Sequence, residues 1–106
     1  MVQEVEVDEL ADRLGEGASV IDVREPDEYT GGHVPGAVSI PLATLADHLD
    51  AFATDGPTYV ICQAGGRSRR ACEFAAAHGI DAVNVAGGTG AWVAADRAVV
   101  TGNRAT

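Results

Sequence analysis

Two short apolar runs constrain the fold of this 106-residue chain more than any other feature: Ser19 to Val23 (SVIDV) and Thr58 to Cys62 (TYVIC). Runs of this length, rich in Val and Ile and lacking strict polar alternation, are typical of strands buried on both faces, as parallel sheets require. Parallel neighbours cannot be joined by a tight hairpin, so helices must carry the crossovers. Helical signals do fall between the runs. Gln3 to Val7 alternates polar and apolar residues and reads as a short edge strand. Asp8 then reads as the N-cap of a helix through Leu14, ended by Gly15 and Gly17.

Pro26 suits the first turn of a helix in PDEYTGG, which Gly31-Gly32 stops. Val38 to Ile40 is a minimal strand. Thr44 to Ala53 has helical spacing, with Leu45, Leu49 and Phe52 on one face. Beyond the Gly56-Pro57 turn and the second apolar run, SRRACEFAAAH reads as a helix capped by Ser68 and closed by Gly79. Ala82 to Val85 is a further strand. Gly87-Gly88 then makes a close turn beside the loop after Cys62, and a short helix at Ala91 to Ala95 precedes a polar tail. This alternation predicts an α/β domain over residues 1–106 with a central, mostly parallel sheet. Ligands of such sheets bind at the carboxyl ends of the strands, where Asp22 and Cys62 both fall.

Composition narrows the function classes. The formal charge is -9, with 13 acids against two arginines in residues 1–55 and three acids against five arginines thereafter. Nucleic acids and anionic membranes repel such a surface, so neither is an expected partner. The two cysteines, Cys62 and Cys72, lie ten apart, which matches neither a redox C-x-x-C nor a zinc pattern, and a reduced, cytoplasmic setting is expected. The N-terminus has no basic region followed by an apolar one, so it does not read as a secretory signal. No apolar run approaches the roughly 20 residues a bilayer demands.

The chemistry concentrates in Cys62-Gln63-Ala64-Gly65-Gly66-Arg67-Ser68, which joins a strand to a helix. Adjacent glycines permit the backbone angles that turn successive N–H groups inward, and the helix terminus adds its positive dipole end. A cysteine set there should be substantially thiolate at neutral pH. Arg69 and Arg70 are expected in the first helical turn, where cations oppose the dipole, a placement that makes sense at an anion-handling site. Arg67 is the strongest candidate to meet a substrate oxyanion, because its planar fork matches sulfonate-like oxygens. The plainer reading is a buried strand-end cysteine followed by a simple turn.

Two stretches, VIDVREPDEYTGGHVPGAVSIPL (20–42) and YVICQAGGRSRRACEFAAAHGIDAVNVAGGTGAW (59–92), together resemble the rhodanese family of sulfurtransferases and span most of the chain. The resemblance implies a single rhodanese-like domain, with a mostly parallel sheet of about five strands and helices on both faces. It also implies a catalytic cysteine, Cys62, that cycles between thiolate and persulfide. The persulfide-cradling loop maps to Gln63, Ala64, Gly65, Gly66 and Arg67, and the strand-end D-V-R-E motif to Asp22 through Glu25. Related phosphatases and arsenate reductases place five residues between cysteine and arginine. Here there are four, and the shorter loop suits a sulfur atom better than a tetrahedral phosphate.

The expected activity is therefore transfer of sulfane sulfur from thiosulfate or a similar anionic donor to cyanide or a thiol, with no metal or organic cofactor. A persulfide carrier or rhodanese-like binding module, served by a sulfur-relay protein, is the alternative. Around the loop, Asp22 and Arg24 are read as supporting residues that fix local structure by hydrogen bonding, and Arg69 and Arg70 as helpers of Arg67. His33 is read as stabilising a turn, Cys72 as facing the core and Trp92 as packing the last helix. His48 and His78 have no partner at metal-ligand spacing.

Overall fold

The structure, a computed structural model, describes residues 2–52 and 55–106. Among these the sheet has five strands, β1 (Gln3–Val5), β2 (Ser19–Asp22), β3 (Val38–Ser39), β4 (Thr58–Ile61) and β5 (Ala82–Val85), all parallel in the order β1-β5-β4-β2-β3. The connections are helical: α1 (Val7–Gly15), α2 (Pro26–Gly31), a 3₁₀ segment (Leu42–Phe52), α3 (Gly66–Ala77) and α4 (Gly88–Ala94).

Successive residues of β4 point to opposite faces. Tyr59 and Ile61 enter an apolar layer with Leu10, Tyr29 and Trp92, while Val60 enters a second layer with Leu45, Phe52, Ala71 and Cys72, and Cys62 follows it there. Helices therefore cover both faces, and β4 is buried along its whole length, as its unbroken apolar run requires. After β2 the chain turns toward the β3 edge, whereas after β4 it turns toward β5. The loops leaving these two neighbouring strands diverge, and a crevice opens at their carboxyl ends.

Several boundaries differ from the sequence reading. The residue capping α1 is Glu6, with no side-chain cap bond, and Asp8 lies within the first turn. Val7 is buried with Leu10, so the helix must begin early enough to turn both inward. The first strand accordingly stops at Val5. Thr44 to Ala53 was expected to be one helix; the described part is 3₁₀ and breaks at His48, where φ is -132°. Leu45 and Phe52 straddle that break and both stay buried. Ala53 lies outside the described residues. Helix α3 starts at Gly66 with Gly65 as its cap, so Ser68 is its third residue rather than its cap; Arg67 joins the first turn, which Arg69 closes, and Arg70 lies just beyond it. Helix α4 begins at Gly88 rather than near Ala91, because the N–H groups of Thr89 and Gly90 bond the carbonyls of Cys62 and Gln63 at 2.8 and 3.0 Å.

Candidate active site

Cys62 sits one residue beyond β4 and is 1% exposed. Gly65 takes φ +110°, a left-handed conformation that an L side chain rarely tolerates, and this turn brings its N–H to 3.0 Å from Cys62 Sγ. The Ser68 hydroxyl lies 3.3 Å from the same sulfur. Burial alone pushes the thiol pKa up. The Ser68 hydroxyl and the backbone N–H groups of Ser68, Gly65 and Ala64 outweigh it, and the pKa falls below that of an ordinary thiol. The nest read from the glycine pair is therefore present, with Ser68 contributing through its side chain from inside the helix.

A chain of polar groups orients that serine. Its single hydroxyl proton lies between two acceptors, Cys62 Sγ and Asn84 Oδ1, while Asn84 Nδ2 donates to Glu4 at 2.8 Å and to the Gly65 carbonyl at 3.2 Å. Asn84 is 1% exposed and comes from β5. A buried amide needs such partners, and here they hold its oxygen toward Ser68. The sequence reading missed Asn84, although a polar residue between Val83 and Val85 in a buried strand was an available signal.

From the other side of the crevice, Arg24 ties three segments together. Its guanidinium donates to both carboxylate oxygens of Asp22 at 2.9 to 3.1 Å, to the Gly32 carbonyl at 2.8 Å and to Gln63 Oε1 at 3.1 Å. Asp22 and Arg24 are 0% and 3% exposed. A buried pair with these extra bonds fixes geometry more than it adds stability, and here it fixes Gln63 beside Cys62. Arg24 thus touches the loop directly, and Asp22 reaches it through Arg24.

The three clustered arginines have separate partners. Arg67 forms a bidentate pair with Glu28 at 2.7 and 3.0 Å, holding the Glu28 carboxyl at a pKa of about 2. Arg69 pairs with Glu4 at 2.9 Å. Arg70 has no ion pair or hydrogen bond among the described residues, and it lines a cavity of about 350 Å³ with Cys62, Gln63, Ala64, Gly66 and Arg67. Glu28, whose weight the sequence did not reveal, thus removes much of Arg67's freedom. The uncommitted cation at the mouth is Arg70.

The remaining candidates are structural. His33 is fully buried and stacks on Tyr29 at 3.6 Å, with its ring nitrogens 2.8 and 2.7 Å from the Tyr29 and Arg104 carbonyls. Cys72 is 1% exposed in the α3 layer, and burial pushes its thiol up to about 12. Trp92 packs in the opposite layer and donates to the Ala98 carbonyl at 2.8 Å. Among the described residues no group of His, Cys, Asp or Glu is placed to hold a metal ion, and no helix is long and apolar enough to cross a membrane.

Known proteins are similar to this chain in sequence and fold. The family model for the rhodanese-like domain matches residues 6–95. An uncharacterized protein of Bacillus subtilis, YqhL, is 42% identical over 76 residues, covering 71% of this chain and 60% of that protein. The chain thus spans less than two thirds of that relative. The thiosulfate sulfurtransferase GlpE of Pseudomonas entomophila is 35% identical over 78 residues, covering 73% of this chain and 72% of its own. The crystal structure of a rhodanese-like domain protein from Staphylococcus aureus superposes with a TM-score of 0.80 at 39% identity, covering 86% of this chain and 91% of that one. With this fold, this cysteine loop and these relatives, the chain belongs to the rhodanese-like domain family.

Proposed function

We propose that the protein is a sulfurtransferase that carries sulfane sulfur on Cys62. The observation that carries this reading is the set of donors converging on Cys62 Sγ, a cradle for one anionic sulfur at the closed end of a short loop. The relatives named sulfurtransferases support it. In the first half-reaction the Cys62 thiolate attacks the outer sulfur of thiosulfate. The new Cys62 S–S bond forms as the donor's S–S bond breaks, and sulfite leaves with that electron pair. The persulfide anion that remains takes up hydrogen bonds from the loop N–H groups and from the Ser68 hydroxyl, which stabilise charge without reorganising.

In the second half-reaction a thiolate or cyanide attacks the outer sulfur and Cys62 leaves as the thiolate that began the cycle. No electron is gained or lost overall, so the residues of the loop suffice for the chemistry. Arg70 steers the anionic donor across a surface of charge -9, and Arg67 borders the mouth while Glu28 holds it. The test is intact mass after thiosulfate treatment. A gain of one sulfur atom, lost in Cys62→Ser, is the expected result; an unchanged mass, or turnover surviving Cys62→Ser, overturns the reading.

A further inference from the structure

A second cavity adjoins the one at Cys62. It is a groove of about 580 Å³, and Gln63 lines both. The Glu28–Arg67 ion pair separates them, with Glu28 facing the groove and Arg67 facing the cysteine cavity. The two sides differ in character. The cysteine cavity carries the unpaired cation Arg70. On the groove side the charge of Arg24 is met by buried Asp22 and that of Glu28 by Arg67, which leaves the carboxylate of Asp27 without an ion pair among the described residues.

The groove also has apolar walls. Val93 and Val99 line it at 54% and 38% exposure, on α4 and on the segment after it. Gly31, Gly32 and Gly90 complete the lining, so a backbone can approach closely there. Thr89 is a further lining residue, and its buried hydroxyl is without a hydrogen-bond partner among the described residues. A buried polar atom left unpaired is costly, and an occupant of the groove can supply the missing bond.

Resting on the sulfurtransferase reading, we propose that this groove seats the sulfur acceptor, and that the acceptor is a cysteine-bearing polypeptide segment with a basic residue beside its cysteine. Charge selects the occupant: an anionic donor is drawn to the Arg70 side and repelled from Asp27, while a basic segment meets the reverse. The valines and glycines accept peptide backbone and apolar side chains, and the acceptor cysteine reaches past Gln63 to the persulfide. Its thiol loses a proton to solvent, and the resulting thiolate attacks the outer sulfur. The S–S bond to Cys62 breaks, the acceptor leaves as a persulfide, and Cys62 is restored as thiolate. A neighbouring cation lowers the acceptor's own thiol pKa and favours that step.

The test separates this proposal from the reading it rests on. Cys62 is first loaded with polysulfide and the added sulfur verified by intact mass, so that discharge is measured whatever the donor. Discharge rates are then compared for a pentapeptide with arginine next to its cysteine and for the same peptide with glutamate in that place. The expected ratio is about tenfold in favour of the basic peptide at low salt, shrinking as salt rises. Asp27→Lys should bring the ratio down, and Val93→Glu, which adds a carboxylate to the same groove, should raise it, both positions being exposed; taken within one variant, the ratio is insensitive to general losses of loading. Failure of loading overturns the sulfurtransferase reading. Successful loading with equal rates for the two peptides, with glutathione discharging as fast as the basic peptide, or with a ratio unmoved in both variants, overturns the groove as acceptor site.

Discussion

Cys62 and Cys72 are both 1% exposed and both belong to the apolar layer between the sheet and α3, yet their thiols are driven in opposite directions. Burial pushes each of them up. At Cys72 the charge of Arg69 offsets it only in part, and the pKa rises to about 12; at Cys62 the hydrogen-bond donors around the sulfur reverse it. Burial by itself does not make a cysteine inert. What decides is whether hydrogen-bond donors, the Ser68 hydroxyl and the loop N–H groups, face the sulfur, and that depends on Gly65 holding φ +110° and on α3 starting at Gly66.

The sharpest way to break this contrast is to exchange the two sites' fates. Cys62→Ser should abolish persulfide formation measured by intact mass, whereas Cys72→Ala should leave it intact and cost about 1 kcal/mol of stability for the small cavity, read by denaturant unfolding. Persulfide formation surviving at Cys72 alone would end the distinction.

A second prediction concerns what presses on the Cys62 loop. Gly88 adopts φ +58°, and a Cβ there would run into the carbonyls of Cys62 and Gln63. Gly88→Ala should destabilise the fold by roughly 1–3 kcal/mol and slow sulfur loading, because α4 must move off the loop it bonds. A variant as stable as the parent would show that this contact does not shape the loop.

Ser68→Ala probes the donors themselves. Loss of the hydroxyl should raise the Cys62 pKa, followed as an upward shift in the pH profile of alkylation. No shift would assign the depression to the backbone N–H groups alone.

The smallest effect is expected at Glu28→Gln, which breaks the pair with Arg67. Both side chains are about one third exposed, so the stability cost should be about 1 kcal/mol or less. Its sign with pH follows from a folded pKa of about 2 lying below the unfolded carboxylate value. The pair's contribution is present above the unfolded pKa of about 4.3 and is lost as pH falls toward 2. Parent and variant should therefore converge in acid, and a constant difference down to pH 2 would count against the pairing.

Much of this contrast was legible in the sequence. The unbroken apolar run of β4 placed Cys62 at a strand end, and the glycine pair after it announced the nest. Cys72 among alanines and Phe74 announced a core position. What could not be read were contacts across distant segments. Glu28 lies 39 residues from Arg67, and Asn84 lies 16 from Ser68, so no local period connects them. Ser68 looked like a cap because serine often is one. The left-handed turn at Gly65 took that place, and the hydroxyl instead lies between the sulfur and Asn84.

The most direct measurement of the account is the pH dependence of alkylation at each cysteine, resolved by peptide mass spectrometry on the folded protein. Cys62 should react with a midpoint below the ordinary thiol value of about 8.5, while Cys72 stays silent until the pH approaches 12. A Cys62 midpoint at or above the ordinary value, or the two cysteines reacting together, would contradict it.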